Sequence, residues 1–422
     1  MAGKKLDVVI VGGSLTGLLH GVVLKRLGHN VRILERSTSL NDQGAGILAR
    51  EHLQNFFSKH DLCNLPFYVQ ADPRIQFLNK EAEIIKVWKA QLRMTSWDNV
   101  YYRLRANFDG FESDYVKERP LEDKSRNGNV SYEYGCTVTD LKYSDGLVTL
   151  TFERSGGGGG TLHADLVIAA DGAGSSIRRM LYPNVERKYV GYAAWRGTTV
   201  ESEMSDQAKT RLTTCCNYFN HKDGHMLLYT IPGKNGSLQP GERLLNFVWY
   251  CNYAEDSPEY VDLLTDTDGH KHRITIPMGK MRPEVWSAQK DYAKSLLPAP
   301  FSEVVVKTRQ PFVQCITDVS APKAVHFEGK LLLTGDALCS FRPHVGASTN
   351  QAALNALQLE RVMKGEITLV EWENVCLQYA ELTSLTGVTL GRWNQYGLWK
   401  TLSSAFWLAK AYLVMYITKL WR

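Results

Sequence analysis

The run Val8-Val9-Ile10-Val11-Gly12-Gly13-Ser14-Leu15-Thr16-Gly17 decides how this chain is read. Its four aliphatic residues predict a strand buried on both faces, as in a parallel sheet. Apolar residues then recur at helical spacing from Leu15 to Leu27, and Gly28-His29-Asn30 ends that helix. Val31–Glu35 predicts a second strand, so the unit is βαβ with a right-handed crossover. Gly12 to Gly17 approximates G-x-G-x-x-G, with Ser14 where the second glycine usually stands. Gly12 permits the tight turn and Gly17 a close approach of helix to strand. Gly13, Ser14, Leu15 and Thr16 form the cradle between them. The N-terminal end of the helix presents unpaired N–H groups and a positive dipole end to a pyrophosphate. Glu35 lies 18 residues beyond Gly17, where a carboxylate can accept both ribose hydroxyls of an adenosine, with Arg36 beside it. This predicts a bound dinucleotide.

Composition narrows the class. The chain has 422 residues, 44% hydrophobic and 22% charged, enough for a large core and incompatible with disorder. Its 49 Lys and Arg against 44 Asp and Glu give a net charge of only +5, scattered along the chain, so no nucleic-acid partner is expected. Eight cysteines show no C-x-x-C pair and no metal-ligand spacing. They read as reduced thiols of a cytoplasmic protein without metal.

Past the βαβ unit, Glu51–His60 and Tyr101–Phe108 predict helices, and Arg74–Trp88 two short strands. Val130–Asp140 and Leu147–Phe152 predict a hairpin pair, with Gly156–Gly160 as a flexible hairpin tip. Leu166–Ala170 is a buried strand. From about Val190 to Thr317 strands dominate: Tyr192–Val200, Arg211–Tyr218, Met226–Ile231 and Leu244–Tyr253. Lys330–Thr334 returns to the buried-strand pattern, followed by the helix Ala347–Met363. An α/β pattern thus brackets a β-rich middle, which predicts an inserted second domain.

Two later motifs, Asp171-Gly172 after the strand Leu166–Ala170 and Gly335-Asp336 after Lys330–Thr334, stand in order behind Gly12–Gly17 and Glu35. With Gly44-Ala45-Gly46-Ile47, Thr95-Ser96-Trp97-Asp98, Trp195-Arg196-Gly197 and Arg342-Pro343-His344, they span about residues 7–355. The set resembles the class A FAD-dependent aromatic monooxygenases of the para-hydroxybenzoate hydroxylase type, on the branch of 2,6-dihydroxypyridine hydroxylase and fungal secondary-metabolite monooxygenases. The resemblance implies an α/β fold with a Rossmann-like FAD-binding domain of the glutathione-reductase type (1–74, 96–186 and 318–397). Into it is inserted a mostly antiparallel β-sheet substrate domain (75–95 and 187–317), with 398–422 as an aromatic-rich C-terminal helix. It also implies FAD as cofactor, NAD(P)H as transient reductant, and O2 transfer through a flavin C4a-hydroperoxide to an electron-rich aromatic or N-heteroaromatic small molecule.

Site residues follow from the same resemblance. Gly44, Ala45 and Gly46 line the flavin, and Asp336 accepts a ribityl hydroxyl. Pro343, Val345, Gly346 and Ala347 meet the pyrimidine edge, where a helix start can stabilise negative charge. Asp171 is expected to serve FAD and the pyridine nucleotide; its plainer reading is a helix cap. Trp97 occupies the slot of a flavin-binding Arg or Gln, so Arg103, or failing it Arg105, is expected to supply that contact. Cys339 and Ser348 also depart from the family, which has His and Gly there.

Arg196 is a charge in an otherwise apolar predicted strand. It is expected to face the flavin and hold a peroxide or substrate oxygen through its fork of donors, the alternative being a structural ion pair. Tyr229 is the second catalytic candidate, a phenol able to relay a proton. His225, Phe247 and Trp249 are expected to wall an aromatic pocket with it; the plainer reading is core. A halogenase lacks support because its W-x-W-x-I-P signature is absent, and a non-catalytic binder has no use for Glu35, Asp171, Asp336 and Arg196 together. Leu398–Arg422, with Lys400, Lys410 and Lys419, predicts a helix that packs on the protein or a partner subunit, or touches a membrane surface. A monomer or homodimer is expected.

Overall fold

The computed structural model describes residues 4–39, 45–63, 65–118, 120–122, 124–277 and 279–420. Gly44 lies outside them. A six-stranded sheet is built from β1 (Asp7–Val11), β2 (Asn30–Leu34), β8 (Val130–Glu133), β12 (Leu166–Ala169), β18 (Val325–His326) and β19 (Leu331–Leu333). Its order is β18-β19-β12-β1-β2-β8, parallel except for β18 at the edge. The aliphatic runs of β1, β12 and β19 are buried because both faces are covered. Helix α1 (Leu15–Arg26) shows why it has no polar stripe: Leu18, Leu19, Val22 and Leu24 are all buried, among the sheet, α3 (Trp97–Asp109) and α9 (Ser348–Met363). Helices α2 (Glu51–His60) and α10 (Leu369–Tyr396) flank α9.

A three-stranded meander, β9 (Cys136–Ser144), β10 (Leu147–Arg154) and β11 (Gly159–Ala164), covers the other face. The glycine run turns β10 into β11, a hairpin tip. Val130–Glu133 is not part of the hairpin with Leu147–Phe152. Gly135, with φ +69°, breaks the run, so β8 joins the parallel sheet and only β9 pairs with β10.

The β-rich middle forms an eight-stranded sheet in the order β20-β17-β13-β16-β15-β14-β5-β6. Its strands are β5 (Arg74–Leu78), β6 (Ile84–Lys89), β13 (Lys188–Val200), β14 (Cys216–His221), β15 (Gly224–Ile231), β16 (Leu244–Asn252), β17 (Phe312–Ser320) and β20 (Cys339–Ser340), and only β14 and β5 run parallel. The strand predicted over Arg211–Tyr218 begins only at Cys216. Before it, Ser205 accepts the Ala208 N–H and starts helix α5 (Asp206–Leu212). One face of this sheet carries Trp195, Phe247 and Trp249 against α7 (Pro283–Leu296) and α8 (Ala299–Lys307), a second hydrophobic core beside the first. A small sheet of β3 (Gly46–Leu48), β4 (Val69–Gln70) and β7 (Arg93–Ser96) lies between the two bodies; short helices α4 (Ser176–Leu181) and α6 (Pro258–Leu263) complete the order, with α11 (Leu398–Leu420) after α10. We propose that the chain divides along these two cores into the cofactor and substrate units expected from the sequence.

Candidate active site

At the end of β1 the backbone of Gly12 is left-handed, φ +101°, and a Cβ there would stand 2.4 Å from the Ala170 carbonyl oxygen. A Cβ on Gly17 would stand 2.0 Å from the Gly12 carbonyl oxygen. Only glycine at both places lets α1 start this close to β1 and β12. Ser14, at the cap position, makes no side-chain cap bond, so the first-turn N–H groups of α1 are left for an anion. Leu15 anchors the turn in the core, and Thr16 packs against Gly335. Glu35 accepts the Gly13 N–H at 2.7 Å and the Ser37 N–H at 2.8 Å, which leaves lone pairs on both oxygens. Arg36 beside it is exposed.

Arg103 lies against protein partners of its own. It is buried, donates to the Leu65 carbonyl at 2.6 Å, pairs with Asp61 at 3.3 Å and lies over Phe67. Six residues along a helix from Trp97 it cannot share that residue's face. Arg105 is committed too, to Asp109, Tyr101 and Tyr134. Its guanidinium lies 3.9 Å over Tyr132, whose hydroxyl donates to the Gly13 carbonyl at 2.9 Å. Arg105 therefore stiffens the dinucleotide turn through Tyr132, a link the sequence did not suggest.

The Asp171 carboxylate is taken up by the start of α4. It accepts from the Ser175 hydroxyl at 2.5 Å, the Ser176 N–H at 2.7 Å and hydroxyl at 3.1 Å, and the Ile177 N–H at 3.3 Å. Three of these donors fall on Oδ2 and one on Oδ1, so the carboxylate starts α4 and Oδ1 keeps an acceptor site for the cofactor contact expected of Asp171. Buried Arg178, from α4, donates to the Ala337 carbonyl at 2.8 Å and the Asp336 carbonyl at 3.3 Å, tying the two aspartate turns together.

Asp336 is different. The residue is half-buried, but its Oδ1 is buried and has no partner among the described residues; burial raises its pKa, against the pull of Ser348, Arg187 and Arg178. A buried unpaired carboxylate oxygen costs about 1–3 kcal/mol or more, and a ribityl hydroxyl is a donor of the right kind. Close by, Pro343–Val345 form a short turn, Gly346 is left-handed at φ +55°, and Ala347 leads into α9 without a side-chain cap bond. Two uncapped helix starts, the free carboxylate oxygen and the Gly12 turn fit an extended dinucleotide such as FAD.

Over this groove lies the second face of the eight-stranded sheet. Arg196 of β13 is half-buried; its Nε is buried and forms no hydrogen bond, and the side chain has no ion pair among the described residues. Antiparallel register puts it on the side of Tyr192, Tyr250, His225, Tyr229 and Asn246. Gly46 sits against Tyr229, and its N–H donates to Asn246 at 3.3 Å. Burial pushes the Tyr229 phenol up to about 12, against the pull of the Arg196 guanidinium. The Tyr250 ring stacks on His225 at 4.6 Å and lies tilted 4.6 Å from His344, and Tyr192 Oη meets His344 Nε2 at 2.7 Å. Burial, then Arg342, holds His344 down to about 3, and burial lowers His225 as well. Both imidazoles are neutral, and each has a buried Nδ1 without a partner.

Phe247 and Trp249 do not line this pocket. Tyr229 pairs with Asn246, so the odd-numbered residues of β16 point to the far face. There Trp249 donates to His221 at 3.1 Å and stacks on Tyr292, and Phe247 packs against Gly197.

A model of the FAD binding domain-like family matches residues 189–318. The 2,6-dihydroxypyridine 3-monooxygenase of Paenarthrobacter nicotinovorans is 28% identical over 386 residues, 88% of this chain and 87% of the relative. The solved 2,6-dihydroxypyridine-3-hydroxylase from Arthrobacter nicotinovorans superposes with a TM-score of 0.79 at 26% identity, covering 93% of this chain and 94% of that one. The chain resembles the class A FAD-dependent aromatic monooxygenases, and the protein is an FAD-dependent monooxygenase. Another relative, the 6-hydroxynicotinate 3-monooxygenase of Bordetella bronchiseptica, is 21% identical over 86% of this chain and 84% of its own. The protein is a flavoenzyme that uses O2.

One stability prediction follows from the buried imidazoles of this monooxygenase. His20 in α1 is held down to about 4 by burial, despite its bond to the Thr16 carbonyl, and His344 to about 3. Both stay neutral in the fold, so the unfolded chain binds more protons below its ordinary value of 6.5. Stability is complete above about 6.5 and falls with pH toward 4, by up to about 1.4 kcal/mol per pH unit for each group. Thermal melts across that window should show the decline; a constant Tm contradicts neutral buried imidazoles.

Proposed function

We propose that the enzyme hydroxylates a small, electron-rich hydroxylated aromatic or N-heteroaromatic compound, with NAD(P)H as reductant, in the cytoplasm and as a monomer or homodimer. The observation that carries this reading is the unpaired Arg196 guanidinium over the cofactor groove. A half-buried cation with no ion pair among the described residues, next to buried phenols, favours an anionic partner. A phenolate or hydroxypyridinolate is such a partner, and deprotonation makes its ring electron-rich enough to take oxygen.

Bound FAD, held by the Gly12 turn, Glu35, Asp336 and the start of α9, supplies the redox chemistry that activates O2. The chain's own part is to place and polarise the substrate. Arg196 holds the substrate oxygen and stabilises its charge. Tyr229, a neutral phenol at any working pH, donates to the same oxygen or relays a proton. The Nδ1 atoms of His225 and His344 offer polar contacts for a ring nitrogen or second hydroxyl, while Tyr192 and Tyr250 wall off water. The dihydroxypyridine and hydroxynicotinate relatives favour a nitrogen heterocycle within this class. Turnover of a panel of phenols, hydroxypyridines and indoles under isotopically labelled O2 tests the reading. A hydroxypyridine or phenol should take up one labelled oxygen; label in none of them rejects it.

A further inference from the structure

Helix α11 is built inside out. The residues it turns toward the protein are small or polar: Thr401 and Ser404 are buried, their hydroxyls bonded to the Gly397 and Thr401 carbonyls. The residues it turns to solvent are large and apolar. Trp399 is 85% exposed, Phe406 64%, Leu413 58% and Leu402 50%, with Trp407 and Tyr412 exposed on either side. A soluble helix places these faces the other way. The exposed apolar arc exceeds half the circumference and continues onto Trp393 of α10. That is wider than the narrow seam a partner helix covers.

Charge separates a lipid surface from a second copy. The helix contains Lys400, Lys410 and Lys419 and no Asp or Glu. Two copies laid face to face would set lysine against lysine with nothing to neutralise them. Lys188 and Arg392 join Lys400 around an open groove of about 570 Å³ at the root of α11, where Arg342 is already paired with Asp318. Cations along an aromatic, acid-free helix complement anionic headgroups, while Trp and Tyr suit the interfacial depth. No described helix is long and apolar enough to cross a membrane.

We propose that α11 lies in the headgroup region of an anionic bilayer, with Trp399, Leu402, Phe406 and Leu413 inserted. Flotation of the holoenzyme with vesicles of phosphatidylcholine, alone or mixed with phosphatidylglycerol, tests this. Binding should favour the mixed vesicles roughly tenfold or more and weaken as salt rises. The double variant Phe406→Glu, Leu413→Glu should lose binding roughly tenfold or more, with FAD content and turnover of a water-soluble substrate unchanged. Lys400→Gln with Lys410→Gln, which removes two charges and keeps every apolar side chain, should remove the preference for anionic vesicles. Absence of binding to either vesicle overturns the proposal. So does a dimer in sedimentation equilibrium that the glutamate pair splits, because the face is then a subunit seam.

Discussion

The variant Arg196→Met is expected to lose product formation about 10²–10³-fold in kcat while keeping its FAD, the loss typical when one preorganised donor to a developing or bound oxyanion is removed. Met fills the space of the arginine stem without its fork, and no ion pair is broken because none exists among the described residues. The fold should therefore survive, and Tm should change little. Oxidation of NAD(P)H should persist in part and yield hydrogen peroxide, since cofactor reduction does not need this side chain. Arg196→Lys should recover part of kcat but not the geometry of a two-point contact. Full coupling of NAD(P)H oxidation to product in Arg196→Met contradicts the assignment.

Asp336→Ala should weaken FAD binding roughly 10- to 150-fold, from the loss of a charge-assisted hydrogen bond of about 1.5–3 kcal/mol. The apo form should behave in the opposite sense. Its buried Oδ1 has no partner, and burial already disfavours the charged carboxylate, so removing it relieves the apo fold. Titration of apoprotein with FAD, beside melts of apo and holo forms, reads both effects. An apo variant with a Tm far below that of the parent apoprotein, and unaltered FAD affinity, makes Asp336 a structural carboxylate and removes it from the cofactor site.

Those two residues also show what could be read in the sequence. Asp336 follows a buried strand and a glycine, and Arg196 is a charge inside an apolar strand; both are local anomalies, visible without a structure. The βαβ opening was legible for the same reason, since its aliphatic run, glycine turn and second strand are contiguous. The aromatic pocket was not. Whether Trp249 or Tyr250 shares a face with Tyr229 depends on the β15–β16 register, and a shift of one residue exchanges every side chain between faces. The pairing of Arg103 with Asp61 likewise depends on the turn of a helix and on a partner distant in sequence. The Tyr192–His344 contact spans 152 residues and has no local signature.

We propose that the Gly12–Asp336 groove and the Arg196 face close on one flavin and one aromatic substrate. The most direct test is the coupling of purified enzyme, measured as product formed per NAD(P)H oxidised in the presence of a hydroxypyridine or phenol from the panel. The protein should be yellow with one FAD per chain, oxidise NAD(P)H slowly alone, and accelerate markedly with product near one per NAD(P)H when the substrate is added. A protein that stays colourless after incubation with FAD, or whose NAD(P)H oxidation ignores every aromatic offered, would contradict it.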